Sequence, residues 1–371
     1  MTVLMFLAGL VCLVVGAEAL VRGAAKLAFR VGISPLVVGL TIVAFGTSAP
    51  EVAVSLDAAL GGRTDIAIGN VVGSNIFNVL FILGISALIV PLVVNVQVVR
   101  QEVPVMIGAS LLLPALGADG RIGPVDGIVL CSLLVAYTVF LVRQSRRETR
   151  AAQAEYGAEF TPATAGGWDS TIAAQLGLMG GGLALLVVGS EWLVDASIAF
   201  AQALGVSDLV IGLTIVAAGT SMPEVATSIA AAIKGERDIA VGNVVGSNTF
   251  NIVGCVGVSA VAAGADGLVM PAAVMRFDIW VMVAVALACL PVFITGRQIA
   301  RWEGGVFVAY YAAYVIHLVL AAQRHDALPA FSAAMLTFVV PITVVTLVVA
   351  TWRHFRPAAT RAAAGASSHR R

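Results

Sequence analysis

A stretch of 41 residues occurs twice in this chain of 371 residues, at a constant offset of 173 and without a gap. The first copy, residues 39–79, reads GLTIVAFGTSAPEVAVSLDAALGGRTDIAIGNVVGSNIFNV, and the second copy, residues 212–252, reads GLTIVAAGTSMPEVATSIAAAIKGERDIAVGNVVGSNTFNI. Identical residues occupy 29 of the 41 positions. Unrelated apolar segments would not agree so closely, so the fold has to give both copies matching surroundings.

The composition is that of a membrane protein. Hydrophobic residues make up 60% of the chain and charged residues 11%, and the mean hydropathy is +1.00. The four cysteines (Cys12, Cys131, Cys255 and Cys289) lie in apolar runs without metal-ligand spacing, which predicts small core residues and no disulfides. The sequence contains neither HExxH nor G-x-S-x-G, so an intramembrane enzyme is not favoured.

Eleven apolar segments are long enough to cross a bilayer as helices, which takes about 20 residues. The first resembles a signal peptide, but it lacks a basic beginning and its sequence recurs in the second half, so we retain it as a span. The spans are predicted at 2–21, 33–60, 66–92, 99–117, 124–143, 171–194, 206–233, 239–264, 272–295, 303–322 and 329–352.

The repeat extends beyond the 41 residues. Glu102 corresponds to Asp278, and Tyr137 corresponds to Tyr314, so spans 1 to 5 match spans 6 to 10. Because five is odd, the second copy enters the membrane in the opposite sense, as in inverted-topology transporters. The predicted parts are a first repeat at 1–143, a cytoplasmic linker at 144–170, a second repeat at 171–322, an extra helix at 329–352 and a basic cytoplasmic tail at 353–371.

The positive charges predict the orientation of the chain. With the N-terminus outside, 17 of the 21 Lys and Arg residues fall on the cytoplasmic side and four fall outside. This distribution follows the positive-inside rule. We therefore expect a multi-pass protein of a bacterial inner membrane, with its C-terminus in the cytoplasm.

Each copy places one carboxylate inside an apolar span, Glu51 in span 2 and Glu224 in span 7. A bilayer resists burial of such a group, so an intramembrane Glu indicates a functional site. Pro50 and Pro223 stand directly before them, and a proline removes a helical hydrogen bond and frees a carbonyl four residues earlier. A proton relay, a structural carboxylate pair and a simple proline kink are the alternatives at this point.

Spans 3 and 8 add a polar stripe. Asn70, Ser74 and Asn78 are spaced i, i+4, i+8 and share one helical face, and Asn243, Ser247 and Asn251 repeat the pattern. The glycines of the same spans (Gly69, Gly73, Gly242 and Gly246) have GxxxG spacing, which predicts close helix packing. Carboxylate, hydroxyl, amide and carbonyl oxygens together are the ligands that hard cations such as Ca²⁺ require.

The paired blocks GTSAPE and GTSMPE, each followed by GNVVGSNxFN, resemble the two alpha repeats of the calcium/cation antiporter superfamily, and most closely those of its sodium/calcium exchangers. The resemblance implies an all-α integral membrane fold with an inverted repeat of five plus five helices, broken helices 2 and 7, and a cation site at the midplane. The family's ligand positions correspond to Glu51, Thr47, Ser48, the Ala44 carbonyl, Glu224, Thr220, Ser221, the Ala217 carbonyl, Ser74, Asn78, Ser247 and Asn251.

The resemblance also implies what the protein does. The expected activity is exchange of Na⁺ for Ca²⁺ by alternating access, with three Na⁺ per Ca²⁺, no tightly bound cofactor and no nucleic-acid partner. Potassium-dependent exchangers and some archaeal relatives have Asp at the position of Asn251, so the similarity points away from potassium transport. An H⁺-coupled exchanger of the same fold is the alternative, and a cation channel is a further one.

Overall fold

The chain folds into a bundle of long helices, described here from a computed structural model that covers residues 2–156, 171–203 and 217–355. The helices of the first copy are α1 (Thr2–Val31), α2 (Pro35–Thr47), α3 (Ala49–Leu60), α4 (Thr64–Ile89), α5 (Val98–Asp119) and α6 (Pro124–Tyr156). Those that follow are α7 (Ile172–Ala203), α8 (Ala217–Gly219), α9 (Met222–Ile233), α10 (Arg237–Ala262), α11 (Ala272–Arg276), α12 (Asp278–Ile294), α13 (Arg301–Ala322) and α14 (Leu328–Arg353).

All eleven predicted spans are mainly helical where the structure describes them, although Leu92 at the end of span 3 lies in a short strand. Span 1 continues to Val31 instead of ending near residue 21, and α6 continues to Tyr156, so the beginning of the predicted linker is helical. Residues 206–216 of span 7, 157–170 of the linker and 356–371 of the tail lie outside the described residues. The four cysteines are free thiols, as predicted, although Cys12 and Cys131 are only partly buried.

Helices α1 and α7, the first helices of the two copies, pack against each other through glycines. A Cβ atom on Gly9 would lie 2.8 Å from the carbonyl oxygen of Gly189, and one on Gly23 would lie 2.8 Å from that of Gln175. The beginning of α1 therefore meets the later part of α7, so the two helices are antiparallel. Equivalent helices that run in opposite directions confirm the inverted repeat.

Two short antiparallel sheets join the copies. Strand β1 (Leu92–Val93) pairs with β4 (Gln298–Ile299), and β2 (Arg121–Ile122) pairs with β3 (Leu268–Val269). Because β1 corresponds to β3 and β2 to β4 in the repeat, the two sheets are the same contact made twice. Each sheet takes one strand from each copy.

The two copies of GNVVGSN lie in the centre of the bundle. Within their apolar spans, 72% of the α4 residues and 89% of the α10 residues are buried, against 6% for α13 and none for α14. Close packing is confirmed for α10, because a Cβ on Gly246 would lie 2.6 Å from the carbonyl oxygen of Leu40. The equivalent neighbours of Gly69 and Gly73 fall in residues 204–216, outside the described residues, so their packing role stays a prediction.

Candidate functional site

Both predicted helix breaks are present. Helices α2 and α3 meet at an angle of 46° around Ser48, whose backbone lies at φ −80° and ψ 8°. Ser221 has nearly the same conformation before α9, with φ −88° and ψ 9°. Glu51 and Glu224 follow in the first turns of α3 and α9, where the partial positive charge of a helix N-terminus stabilises a carboxylate. Both side chains are fully buried.

The two carboxylates are held by serines of the opposite copy. Ser48 Oγ donates a hydrogen bond to Glu224 Oε1 over 2.9 Å, and Ser221 Oγ donates one to Glu51 Oε1 over 2.8 Å. These crossed contacts place the break between α2 and α3 against the break between α8 and α9. The inverted repeat thus brings its two halves together at one site.

The threonines of the two breaks also reach across the repeat. Thr47 Oγ1 donates to Asn243 Oδ1 over 3.0 Å, and Thr220 Oγ1 approaches Asn70 Oδ1 at 3.4 Å. Each asparagine also donates to a hydroxyl on the preceding helix, Asn243 to Ser228 on α9 and Asn70 to Ser55 on α3. Asn70 and Asn243 therefore fix the breaks to α10 and α4, and their amides are already occupied by protein groups.

The rest of the polar stripe faces the same centre. Ser74 Oγ lies 3.2 Å from Ser221 Oγ. Asn78 and Asn251 are buried and stand where the α-helix changes into a π-helical turn, at Asn78–Leu83 and Asn251–Val256. Such turns insert an extra residue into a helix and often occur at functional sites.

The backbone carbonyls near the two helix breaks have different hydrogen-bond partners. The Ala44 carbonyl accepts the Ser48 N–H at 3.0 Å and also lies 3.4 Å from Thr47 Oγ1. The Gly219 carbonyl, which Pro223 was expected to free, accepts a hydrogen bond from Ser190 Oγ at 2.6 Å. Ala217 begins the short helix α8 at the edge of the described residues.

Four oxygen atoms of this centre are buried and have no hydrogen-bond partner among the described residues. They are Glu51 Oε2, Glu224 Oε2, Asn78 Oδ1 and Ser247 Oγ. Leaving such atoms unpaired costs free energy, so a buried group of them points to a ligand. A set of carboxylate, amide and hydroxyl oxygens suits a hard cation such as Ca²⁺ or Na⁺.

Four further residues of the centre were missed by the sequence prediction: Asn75, Asn248, Ser55 and Ser228. Asn75 and Asn248 bond to each other's backbone, since Asn75 Nδ2 donates to the Asn248 carbonyl over 3.1 Å and Asn248 Nδ2 donates to the Asn75 carbonyl over 3.2 Å. They fall off the i, i+4, i+8 face that defined the stripe. Their identity in both copies was the signal that could have found them.

Comparison with known proteins agrees with this geometry. The family described as sodium/calcium exchanger protein matches residues 1–143 and 174–320. The inner membrane protein YrbG of Escherichia coli (strain K12) is 37% identical over 330 residues, which are 85% of this chain and 95% of YrbG. The sodium/calcium exchanger MaX1 of Methanosarcina acetivorans is 34% identical over 348 residues, 85% of this chain and 97% of MaX1.

A solved structure supports the same assignment. The sodium-calcium exchanger NCX_Mj, soaked with 2.5 mM Na⁺ and 0.1 mM Ca²⁺, superposes with a TM-score of 0.71 at 32% identity, covering 85% of this chain and 97% of that one. The family consists of transporters, so the protein is a membrane transporter and not an enzyme. The chain belongs to the sodium/calcium exchanger protein family.

Proposed function

We propose that this protein exchanges Na⁺ for Ca²⁺ across its membrane by alternating access at the site between the two helix breaks. The observation that carries the proposal is the crossed pair of carboxylates, each held through one oxygen by a serine of the other copy while its second oxygen has no partner among the described residues. One Ca²⁺ matches the charge of both carboxylates. The same oxygens divided among several Na⁺ ions give a competing occupancy.

The ligand set consists of oxygens from both copies. The Ala44 carbonyl already carries the Ser48 N–H, so it would bind a cation through its second lone pair. The proposed ligands are Glu51, Thr47, Ser48, the Ala44 carbonyl, Ser74 and Asn78 from the first copy, with Glu224, Thr220, Ser221, the Ala217 carbonyl, Ser247 and Asn251 from the second.

The charge moved in each transport cycle predicts how exchange is coupled to the membrane potential. Exchange of three Na⁺ for one Ca²⁺ moves one net positive charge per cycle, so uptake would respond to membrane potential. Asn251 adds no third carboxylate to the site, which supports transport independent of K⁺. The switch between inward and outward states would require an occupied site, as expected of a secondary transporter built on an inverted repeat.

The orientation is part of the same proposal. The 17 to 4 distribution of Lys and Arg favours an outer N-terminus and a cytoplasmic C-terminus in a bacterial inner membrane. A cysteine introduced into the tail, in a background without the four native cysteines, would test it. Labelling by a membrane-impermeant maleimide should require permeabilised cells.

The test of coupling is ⁴⁵Ca²⁺ uptake into proteoliposomes under separate Na⁺, K⁺ and H⁺ gradients. Uptake should follow the Na⁺ gradient alone and should change rate when a membrane potential is imposed. Uptake that follows a pH gradient and ignores Na⁺ would replace the proposal with an H⁺-coupled exchanger. Uptake without any counter-ion gradient would indicate a channel.

Glu51→Gln and Glu224→Gln should each abolish Na⁺-driven ⁴⁵Ca²⁺ uptake, because one negative charge then faces a divalent ion in a buried site. Glu18→Gln is the matched control. Glu18 is exposed and pairs with Lys234 at 3.1 Å, a contact worth at most about 1 kcal/mol. The Glu18→Gln variant should therefore take up ⁴⁵Ca²⁺ at the rate of the unaltered protein. Uptake at the unaltered rate in either buried variant would remove the site from consideration.

A further inference from the structure

The reciprocal pair formed by Asn75 and Asn248 lies between the two copies and belongs to no ligand position. Besides bonding to each other's backbone carbonyls, their amide oxygens accept hydrogen bonds from the other two asparagines. Asn78 Nδ2 donates to Asn248 Oδ1 over 3.0 Å, and Asn251 Nδ2 donates to Asn75 Oδ1 over 3.1 Å. All four side chains are at most 3% exposed.

The orientation of each amide follows from the backbone. A backbone carbonyl only accepts hydrogen bonds, so the atom of Asn248 that faces the Asn75 carbonyl has to be Nδ2. The oxygen of Asn248 then faces Asn78, which has to answer with its own Nδ2. Asn78 Oδ1 is thereby turned away, and it is one of the buried oxygens without a partner among the described residues.

The same sequence of contacts runs in the other direction. Asn75 Nδ2 is fixed by the Asn248 carbonyl, so Asn75 Oδ1 faces Asn251 and takes its Nδ2. Asn251 Oδ1 is left on the opposite side of its amide, where its protein contact is the thiol of Cys255 at 3.5 Å. In both cases a backbone carbonyl of one copy orients an asparagine of the other copy, and that asparagine in turn orients a proposed ligand of the first copy.

We propose that Asn75 and Asn248 are positioning residues that make Asn251 and Asn78 present an oxygen, and not an NH₂ group, to the transported cation. The role rests on the proposed function, because it concerns two of the proposed ligands. An asparagine that turned by 180° would place two N–H donors against the cation and repel it. The pair prevents this turn without touching the cation.

The contact needs the donor and the acceptor of asparagine at once. Alanine at position 248 would remove both the donor that bonds to the Asn75 carbonyl and the acceptor that takes Asn78 Nδ2. Leucine keeps a similar volume but removes both groups. Either substitution should release Asn78 while leaving Asn251 under the control of Asn75.

The test is a set of double-mutant cycles on the purified full-length protein, with half-saturating Ca²⁺ and Na⁺ measured by the cation-dependent rise in melting temperature. Asn248→Leu should raise the half-saturating Ca²⁺ concentration about tenfold, the effect of losing one hydrogen bond of about 1.4 kcal/mol. In protein that already carries Asn78→Ala, Asn248→Leu should change the half-saturating Ca²⁺ concentration less than about twofold, since the amide that Asn248 orients is absent.

The crossed pairing supplies the control. Asn248→Leu combined with Asn251→Ala should multiply the two single effects, because Asn248 does not orient Asn251. Asn75→Leu should behave in the opposite way: its effect should multiply with that of Asn78→Ala and should be small in protein that carries Asn251→Ala. A merely structural role would lower the melting temperature without cations and would leave both cycles additive. Additive cycles would overturn this proposal alone, whereas an unaltered protein whose melting temperature ignores both cations would overturn the proposed function as well. If Asn248→Leu does not fold, Asn248→Ala carries the same prediction, because it also removes both the donor and the acceptor.

Discussion

Ser190 and Ala17 occupy equivalent positions in the two copies, and this difference leaves the two broken helices held unequally. Ser190 Oγ, on α7, donates to the Gly219 carbonyl at the break before α9. Ala17, on α1, has no hydroxyl to offer the Gly46 carbonyl. At the scale of single residues the site is therefore less symmetric than its crossed carboxylates suggest.

Ser190→Ala should lower the free energy of unfolding by about 1–3 kcal/mol, because it leaves a buried carbonyl without its donor. The control is Ser197→Ala on the same helix, whose hydroxyl bonds to the Leu193 carbonyl of its own helix and should matter little. Denaturation by SDS in mixed micelles measures both. Equal stabilities of the two variants would contradict the role assigned to Ser190.

The residues of the site were predictable to the extent that the two copies agree. Glu51 and Glu224 stand out because a carboxylate in an apolar span demands an explanation, and the prolines before them mark the breaks. The contact between Ser48 and Glu224 was not predictable, since a sequence repeat does not tell which residue of one copy meets which residue of the other. Ser190 was missed for the opposite reason, because comparison of the copies favours identical positions and this one differs.

Among the elements, α1 and α7 pack closely along their length, and their glycines set the distance between them. A Cβ on Gly16 would lie 2.8 Å from the Gly182 carbonyl oxygen, and one on Gly182 would lie 2.7 Å from the carbonyl oxygen of Gly16. In a bilayer, where lipid tails are as apolar as leucine, helices associate through this kind of close backbone packing.

Gly16→Ala should therefore lower the free energy of unfolding by about 1–3 kcal/mol, because the added methyl group forces the two helices apart. Gly180→Ala, on α7, is the matched control, since a Cβ there meets no described atom within 4 Å and alanine is the better helix former by about 0.5–1 kcal/mol. Thermal unfolding in detergent should separate the two variants by several degrees. A stabilising Gly16→Ala would show that the interface is loose.

The order and the breaks of the elements were predictable from apolar length and proline. The π-helical turns at Asn78 and Asn251 were not, because a single inserted residue leaves no mark on the hydrophobic pattern of a helix buried on nearly all sides. The extension of α6 to Tyr156 was also outside the prediction. Its sequence beyond Arg143 is polar and helix-forming, so the apolar pattern ends before the helix does.

At the scale of the whole molecule, α14 stands apart from the repeat. No residue of its apolar span is buried, and its contacts with α13 include a bond between Tyr310 and Thr343 at 2.5 Å. A chain ending at Ala327 should keep the Na⁺ dependence and half-saturating Ca²⁺ of ⁴⁵Ca²⁺ uptake while losing thermal stability. A changed dependence on Na⁺, K⁺ or H⁺ in the flux assay would assign α14 a part in selectivity.

The two reciprocal sheets, β1 with β4 and β2 with β3, give the single chain the contact pattern of a two-fold homodimer. In an isologous dimer, residue i touches residue j and j touches i across the axis, so every substitution appears twice. Joining both halves in one chain keeps that geometry and removes that constraint. One side of the axis can then change alone, as with Ala17 against Ser190 or Ile82 against Cys255. A transport site built from near-identical halves can therefore differ between its two sides.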